Sequence, residues 1–288
     1  MNTNNSATFL VIDPSAKIGQ GVRIAPFCVI EKNVEIGEGT VLGSGCILKE
    51  GSRVGQNCQL GNHITISEEV QIYKNVILGD NTLIYSGTEV GAGSYIGSSS
   101  TIGRPPRASA TSTVKNNKEL SALKVGNNCI VGCSAVIYSG TILGDNVFIG
   151  DTALVRERCV LGEKVVVGSN CVVENDTIIG AYTKIQTGSY ITAYMEIGER
   201  VFIAPMVTTT NDNFMGRTEK RFKFIKGPII KRGARIGGGA ILLPGVEVAE
   251  ETFVAAGCLV TKDTLARTVV KGFPARTMRD VPKEELLD

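Results

Sequence analysis

The stretch "NVEIGEGTVLGSGCILKEGSRVGQNCQLGN", residues 33–62, places an aliphatic side chain at every sixth position: Ile36, Leu42, Leu48, Val54 and Leu60. A period of six fits neither an amphipathic helix, with about 3.6 residues per turn, nor a plain alternating strand. It indicates one deeply buried side chain per short segment, followed by a turn.

The same interval covers most of the chain in three blocks. Fifteen aliphatic residues run from Ile18 to Ile102, fourteen from Val125 to Ile203 and six from Ile230 to Val260. The residue after the aliphatic is commonly Gly or Asp, as in "IGQG" and "LGDN", and such residues tolerate the backbone angles of a tight turn. Three hexads close a triangular coil, and stacked coils bury a continuous aliphatic column.

The sequence therefore predicts an all-β parallel β-helix that forms a single domain over residues 1–288. We expect the coils at about 11–102, 125–203 and 230–260. Two extruded loops are expected at about 103–124 and 204–229, and a C-terminal tail at about 262–288, whose end "VPKEELLD" is expected to form a helical turn that caps the last coil.

Composition limits the class of protein. Of 288 residues 43% are hydrophobic, and the net charge is only +2, so the chain can bury a core and disorder is excluded. No run approaches 18 apolar residues, and the N-terminus lacks both a basic region and a long apolar region. We expect a soluble cytoplasmic protein with no membrane partner.

Seven of the eight cysteines lie two residues before a repeat aliphatic, where other hexads have small residues. This predicts small buried side chains rather than disulfides. Cys129 and Cys133 form a CxxxC pair, but no other cysteine, histidine pair or acidic cluster completes a ligand set. No metal is expected.

Positive charge is concentrated at the second break in the rhythm. Residues 215–235 contain eight Lys or Arg and one acid, Glu219, a net charge of +7, while the rest of the chain sums to −5. This favours an anionic ligand near the loop. For the first loop, 103–124, a decorative loop or a subunit contact is favoured over a functional role.

The C-terminal motifs "IGGGAILLPGV", "AAGCLVTKD" and "KGFPAR" resemble those of hexapeptide-repeat acyltransferases. The resemblance implies a left-handed parallel β-helix, a homotrimer with interfacial active sites, and acetyl-CoA or another acyl-CoA as co-substrate along these coils. Small residues would let the backbone meet the pantetheine amides, and basic residues beside Pro274 would face the phosphates. The implied coenzyme-binding residues are Lys231, Arg235, Gly238, Gly239, Ala255, Ala256, Lys271, Pro274 and Arg276.

The loop "TTTNDNFMG", residues 208–216, is similar to a loop of nucleotide-sugar N-acyltransferases. By that resemblance Asn211 and Asp212 are the catalytic residues, orienting the acceptor amine near the thioester carbon. The acceptor is then the amino group of a deoxyamino sugar linked to dTDP or UDP. Candidate acceptor-binding residues on the coils before the loop and in the loop are Gln186, Tyr190, Tyr194 and Asn213.

The proton acceptor is left open. Many hexapeptide acyltransferases use a histidine base, but His63, the single histidine, lies between six and seven coils before the loop, about 30 Å along the axis. A parallel trimer keeps equivalent residues at equal heights, so it does not bring His63 closer. Either Asp212 takes the ammonium proton, or a neutral amine passes its proton to the leaving thiolate while the amide of Gly238 or Gly239 stabilises the oxyanion.

Other functions are weighed against this one. The acceptor is alternatively another amine or a hydroxyl, including an amino-acid precursor or the lipid A sugar, and a longer acyl chain is equally compatible. Nucleic acid is disfavoured because a narrow prism offers no long groove. A γ-class carbonic anhydrase binds zinc through three histidines per site, and the chain has one histidine, so this function is excluded. A non-enzymatic scaffold leaves the basic loop and the small-residue coils unexplained. Arg104 and Arg107 could hold a diphosphate, but their coil lies roughly 22 Å below Ile203, so we do not assign them.

Overall fold

The computed structural model describes residues 9–110 and 120–287. It confirms the predicted all-β fold as a parallel β-solenoid of about 14 turns. Three sheets, which we name A, B and C, form the faces of a triangular prism, and the chain visits them in the order A, B, C in each coil. We name the three prism edges the A–B, B–C and C–A corners, after the sheets that each one joins.

Sheet A contains β1 (Val11–Ile12), β4 (Val29–Ile30), β7 (Ile47–Leu48), β10 (Thr65–Ile66), β13 (Leu83–Ile84), β16 (Thr101–Arg104), β19 (Val136–Tyr138), β22 (Leu154–Val155), β25 (Val172–Val173), β28 (Tyr190–Ile191), β31 (Thr208–Thr209), β34 (Ile241–Leu242) and β37 (Leu259–Val260). Sheet B contains β2 (Lys17–Ile18), β5 (Glu35–Ile36), β8 (Arg53–Val54), β11 (Gln71–Ile72), β14 (Glu89–Val90), β17 (Lys124–Val125), β20 (Ile142–Leu143), β23 (Val160–Leu161), β26 (Ile178–Ile179), β29 (Glu196–Ile197), β32 (Ile229–Ile230) and β35 (Glu247–Val248).

Sheet C contains β3 (Arg23–Ile24), β6 (Val41–Leu42), β9 (Gln59–Leu60), β12 (Ile77–Leu78), β15 (Tyr95–Ile96), β18 (Ile130–Val131), β21 (Phe148–Ile149), β24 (Val166–Val167), β27 (Lys184–Ile185), β30 (Phe202–Ile203), β33 (Arg235–Ile236), β36 (Phe253–Val254), β38 (Thr268–Gly272) and β39 (Ala275–Asp280). The last two form an antiparallel hairpin that closes the C-terminal end. Two short 3-10 helices span Glu219–Lys223 and Lys283–Glu285, the second in the segment for which a helical turn was expected.

The core is the predicted aliphatic column. From Ile30 to Val260, each repeat aliphatic is at most 4% exposed. Ile18 is 39% exposed because it lies in the first coils, where the stack ends. The seven cysteines at the slot two residues before the aliphatic are buried and carry free thiols, whereas Cys133 is exposed.

The structure corrects the sequence interpretation of the glycines. Within the regular coils, glycine directly after the aliphatic does not have the left-handed backbone angle; the exception is Gly103 (φ 80°), where the first insertion begins. A Cβ on Gly37 would lie 2.6 Å from the backbone of Gly55 and Gln56 in the next coil. The left-handed residue comes two positions later, as at Gly39 (φ 69°) or Asn57 (φ 54°). The first glycine is therefore required by coil stacking and the second by the turn.

The second block of coils continues one strand beyond the predicted boundary. Thr209, six residues after Ile203, keeps the inward position of β31 and is fully buried. Its Oγ1 donates to the carbonyl of Tyr190 at 3.0 Å and accepts from the amide of Thr192 at 2.8 Å. The hydroxyl thus satisfies one backbone N–H and one backbone C=O of the coil below, at the point where the chain leaves the coil. The second loop begins after Thr209.

Candidate functional site

Both insertions leave the solenoid at the same corner. The first lies between β16 and β17, and the second between β31 and β32, so each joins sheet A to sheet B. The two departure points are separated by five strand steps in sheet A, about 24 Å along the axis. The insertions therefore bound one segment of the A–B corner from below and from above.

The second insertion is organised around Asp212. Its Oδ1 accepts from the amide of Phe214 at 2.8 Å, and its Oδ2 accepts from the amide of Gly216 at 2.9 Å and from Arg221 Nε at 2.8 Å. These donors lower the pKa of Asp212 below the usual aspartate range, the backbone donor Gly216 contributing most. Asp212 is thus an ionised carboxylate whose oxygens are already occupied, which makes it a weak general base.

Asn211 holds the start of the loop against the coil below. Its Nδ2 donates to the carbonyl of Ala193 at 3.4 Å, and its own carbonyl accepts from the amide of Lys226 at 3.0 Å. Tyr194, on that lower coil, is 42% exposed and has a positive φ of 65°. Asn213 is also exposed. The structure therefore brings Asn211, Asp212, Asn213 and Tyr194 together at the A–B corner.

Tyr190 lies on the outer side of β28, one strand below the loop, and its hydroxyl donates to Glu174 Oε1 at 3.4 Å. Burial and the neighbouring Glu174 carboxylate raise the pKa of Tyr190. Gln186 precedes β28 and lies at the C–A corner, whereas Tyr194 follows β28. Gln186 is therefore separated from the Asn211 loop by the width of sheet A.

The predicted coenzyme-binding coils meet at the C–A corner. Gly238 and Gly239 follow β33, Ala255 and Ala256 follow β36, and the amide of Gly257 donates to the carbonyl of Gly238 at 2.9 Å. Gly239 (φ 66°) and Gly257 (φ 68°) are exposed, and a Cβ on either would meet no atom within 4 Å. The two uppermost coils thus leave an open column of backbone at this corner.

The amides at this column differ in their availability. The Gly239 amide donates to the carbonyl of Pro205 at 3.1 Å, so it has a partner within the protein. The Gly238 amide donates to no acceptor in the described part of the chain. Of the two oxyanion donors expected from the sequence, Gly238 is the one that remains free.

The basic residues expected around the coenzyme do not lie together but at three separate places in the fold. Lys271 and Pro274 lie where β38 ends at the C–A corner, and Arg276 is the hairpin partner of Lys271; all three are exposed. Lys231 lies at the B–C corner, 3.4 Å from Glu247. Arg235 lies on sheet C, where its Nη1 contacts Glu285 Oε2 at 2.6 Å and its guanidinium stacks on Phe253.

The basic segment 215–235 is partly neutralised by acids elsewhere in the fold. Arg221, Lys231, Arg232 and Arg235 form ion pairs with Asp212, Glu247, Glu250 and Glu285. Among the residues that the structure describes, the cations of the segment with no ion pair are Arg217, Lys220, Lys223 and Lys226, which are all exposed. The unpaired charge therefore belongs to the loop at the A–B corner.

His63 is an exposed corner residue with φ 55° that precedes β10. Seven strand steps in sheet A separate β10 from β31, about 34 Å. The distance inferred from the repeat count is thus matched by the structure, and His63 is too far from Asn211 to share a proton with a group bound there.

Comparison with known proteins agrees with the repeat and the coil architecture. The model of the bacterial transferase hexapeptide (six repeats) matches residues 15–50, 123–157 and 158–193. Over these three segments, which together make up less than half of its length, the chain is similar to the bacterial transferase hexapeptide family.

The relatives differ in the acceptors that their names state. A putative serine acetyltransferase of Schizosaccharomyces pombe is 37% identical over 87 residues, 30% of this chain and 32% of its own length. A 2,3,4,5-tetrahydropyridine-2,6-dicarboxylate N-acetyltransferase of Staphylococcus aureus is 45% identical over 51 residues, 18% and 21% of the two lengths. The hexapeptide-repeat chain thus spans between a fifth and a half of the curated relatives it matches.

Among solved structures, LpxA, a UDP-N-acetylglucosamine acyltransferase from Bacteroides fragilis, aligns with 94% of this chain and 72% of its own, at 19% identity and a TM-score of 0.31. This similarity is too low to transfer residue roles.

The sequence interpretation missed a group of charged residues on the A–B corner of the hexapeptide-repeat chain. Arg156, Glu157 and Arg158 follow β22 as three consecutive charged residues in one corner turn, and Glu157 is fully buried. The signal was present in "LVRERCV", where all three corner residues are charged. No group of His, Cys, Asp and Glu that could hold a metal occurs among the described residues, and no helix among them could cross a membrane.

Proposed function

We propose that the protein is an acyl-CoA-dependent N-acyltransferase that acts on the amino group of a deoxyamino sugar linked to dTDP or UDP. The observation that carries the proposal is the open backbone column at Gly239 and Gly257, with the exposed cations Lys271 and Arg276 beside its upper end. Side-chain-free backbone suits the amides of pantetheine, and cations suit phosphates.

The acceptor end of the proposal rests on the Asn211 loop. An amide and an ionised carboxylate there can orient an ammonium or amino group, and the exposed lysines of the loop favour an anionic carrier such as a nucleoside diphosphate. No histidine lies near the loop. This favours an amine acceptor, because a neutral amine attacks a thioester without the base that a hydroxyl needs.

The reaction balances without a protein base. The neutral amine attacks the thioester carbon and forms a C–N bond, while the C–S bond breaks and the amine proton leaves with the coenzyme thiol. The free Gly238 amide is the proposed donor to the developing oxyanion. Asp212 keeps the loop in shape rather than taking the proton, because its lowered pKa makes it a weak base.

One protomer does not bring the two halves together. Pro205 lies beneath the open column, and Asn211 lies six residues later, beyond the other end of β31. The width of sheet A therefore separates them, up to about 20 Å. This supports sites shared between the subunits of a homotrimer. Sheet C offers an apolar face for such contacts, because Ile77, Tyr95 and Ile130 project outward from neighbouring strands and are 40 to 48% exposed.

The test is release of free thiol from acetyl-CoA in the presence of dTDP- and UDP-linked 3-amino and 4-amino deoxysugars. Sugars in which a hydroxyl replaces the amine serve as matched controls. We expect turnover with one amino sugar and none with its hydroxyl counterpart. Equal turnover with both, or with no member of the panel while coenzyme A still binds, would overturn the assignment of the acceptor.

A further inference from the structure

The segment of the A–B corner between the two insertions carries charged residues in successive coils. Arg156, Glu157 and Arg158 occupy one corner turn, and Glu174 and Asp176 occupy the turn above it. We name this segment the A–B recess; it extends from Tyr138 and Arg104 at the bottom to the Asn211 loop at the top.

The recess is a fixed network that reaches the surface. Arg158 donates from Nε and Nη2 to the two carboxylate oxygens of Asp176 at 2.6 and 2.7 Å. Arg156 donates to the buried Glu157 at 2.9 Å and lies 3.5 Å from Glu174. The side chains of Arg156 and Arg158 are nevertheless 29% and 31% exposed, so part of each side chain remains accessible to a ligand.

Arg104 lies at the bottom of the recess. The guanidinium of Arg104 lies 5.5 Å from the centre of the Tyr138 ring, and that of Arg156 lies 5.0 Å from the same ring. Arg104 forms no ion pair within the described ranges, and it is exposed. Both ends of the first insertion are bound to the next coil, because the Arg104 carbonyl accepts from the amide of Ser139 and the Ser121 carbonyl accepts from that of Gly140.

We propose that the A–B recess binds the nucleoside diphosphate part of the acceptor, an inference that rests on the proposed function. The amine-bearing sugar would lie between Asn211 and the carboxylates of Glu174 and Asp176, whose coil is two strand steps below, about 10 Å. The diphosphate then meets Arg156 and Arg158 one step further down. The base lies against the exposed guanidinium of Arg104, which stacks on Tyr138 and provides a flat cationic surface.

The assignment of Arg104 reverses the expectation from the sequence, where its distance from the loop argued against it. The structure keeps Arg104 five strand steps below the Asn211 loop, but a nucleotide-linked sugar is an extended ligand. The coils between Arg104 and the loop offer it polar contacts. A monosaccharide would not reach both ends.

The chain offers a matched control for the lowest contact. At the B–C corner, Lys164 and Arg200 stack on the ring of Tyr182 at 4.8 and 5.1 Å, which reproduces the two-cation arrangement around Tyr138. No insertion flanks that corner. Arg200→Gln therefore removes a stacked guanidinium outside the recess.

The experiment is calorimetric titration of the full chain with dTDP, UDP and inorganic pyrophosphate. We expect Arg104→Gln to weaken binding of the preferred nucleotide by at least about tenfold and Arg200→Gln to leave it within about twofold of wild type. The affinity for coenzyme A should not change in either variant. Absence of nucleotide binding, an equal response of the two variants, or pyrophosphate binding as tight as the nucleotide would each overturn the proposal.

Acyl transfer, measured separately, distinguishes this inference from the proposed function. In an active enzyme Arg104→Gln should raise the KM for the acceptor and leave kcat unchanged, because Arg104 lies far from the reacting amine. Transfer to an amino sugar that does not depend on Arg104 would support the proposed function and contradict nucleotide binding at the recess. Nucleotide binding that depends on Arg104, without transfer to any amine, would support the recess as the nucleotide site and contradict the proposed function.

Discussion

Arg221 Nε donates to Asp212 Oδ2 at 2.8 Å, and both side chains are largely buried, at 14% and 12% exposure. The pair lies inside the one loop whose residues were expected to be catalytic. The carboxylate that the sequence offered as a base is thus the structural centre of the loop, with a lowered pKa and backbone donors on both oxygens.

We expect Asp212→Asn to lower kcat/KM for the acceptor by about a hundredfold, because an amide cannot accept all three donors and the loop loses its shape around Asn211. Coenzyme A binding should remain unchanged, since Asp212 contributes nothing to the open backbone column at the C–A corner. Glu219→Gln, an exposed acid in the same loop, is the matched control and should keep full activity. Normal kcat/KM in Asp212→Asn would contradict this role.

The pH dependence of the loop has a definite sign. The folded-state pKa of Asp212 is lowered, so its contribution to loop stability is present above the ordinary aspartate pKa of about 4 and is lost as the pH falls through the lower folded value. Titration of Asp212 should therefore not change acceptor binding above about pH 5, one unit above the ordinary pKa. Titration of the acceptor affinity over this range checks it.

The single histidine should be dispensable. His63→Asn keeps the left-handed corner geometry that asparagine adopts at Asn33 and Asn57, so the coil should fold normally. We expect kcat within about twofold of wild type, and a pH–rate profile that rises with deprotonation of the acceptor amine and has no histidine limb near pH 6.5. Loss of activity in this variant would indicate that His63 is the general base.

Gly239→Leu should block the open column at the C–A corner. A side chain there has no neighbour to clash with, so it would fill the space proposed for pantetheine and raise the Kd for coenzyme A by at least about tenfold. Gly21→Leu is the control, because Gly21 has a similar φ, 69° against 66°, and equally open surroundings in the first coils. Equal affinities in the two variants would place the coenzyme elsewhere.

Thr209→Val makes the repeat more regular but should destabilise the protein. Valine leaves the amide of Thr192 without its acceptor in a buried position, at a cost of about 1–3 kcal/mol. Thr209→Ser keeps the hydroxyl and should retain most of the stability. Thermal unfolding and hydrogen exchange at the Thr192 amide check the two variants, and an unchanged exchange rate in Thr209→Val would refute the role of the hydroxyl.

The sequence by itself determined the solenoid. A buried side chain every six residues can be satisfied only by stacked short strands, so the coils, the aliphatic column from Ile30 to Val260 and the positions of both insertions followed from periodicity. The motif around Gly238 predicted a coenzyme site by resemblance, and the coil count alone places that motif at the C–A corner.

Only the tertiary structure decided which residues share a corner. Residues 18 positions apart become neighbours in stacked coils, and an insertion shifts that count, so Arg104 and Tyr138 meet although 34 positions separate them. The ion pairs of Asp212 and Arg235 were likewise hidden, because each depends on how a loop or tail folds back. Periodicity specifies which side chains point inward; partners at the corners depend on the stacking of whole coils.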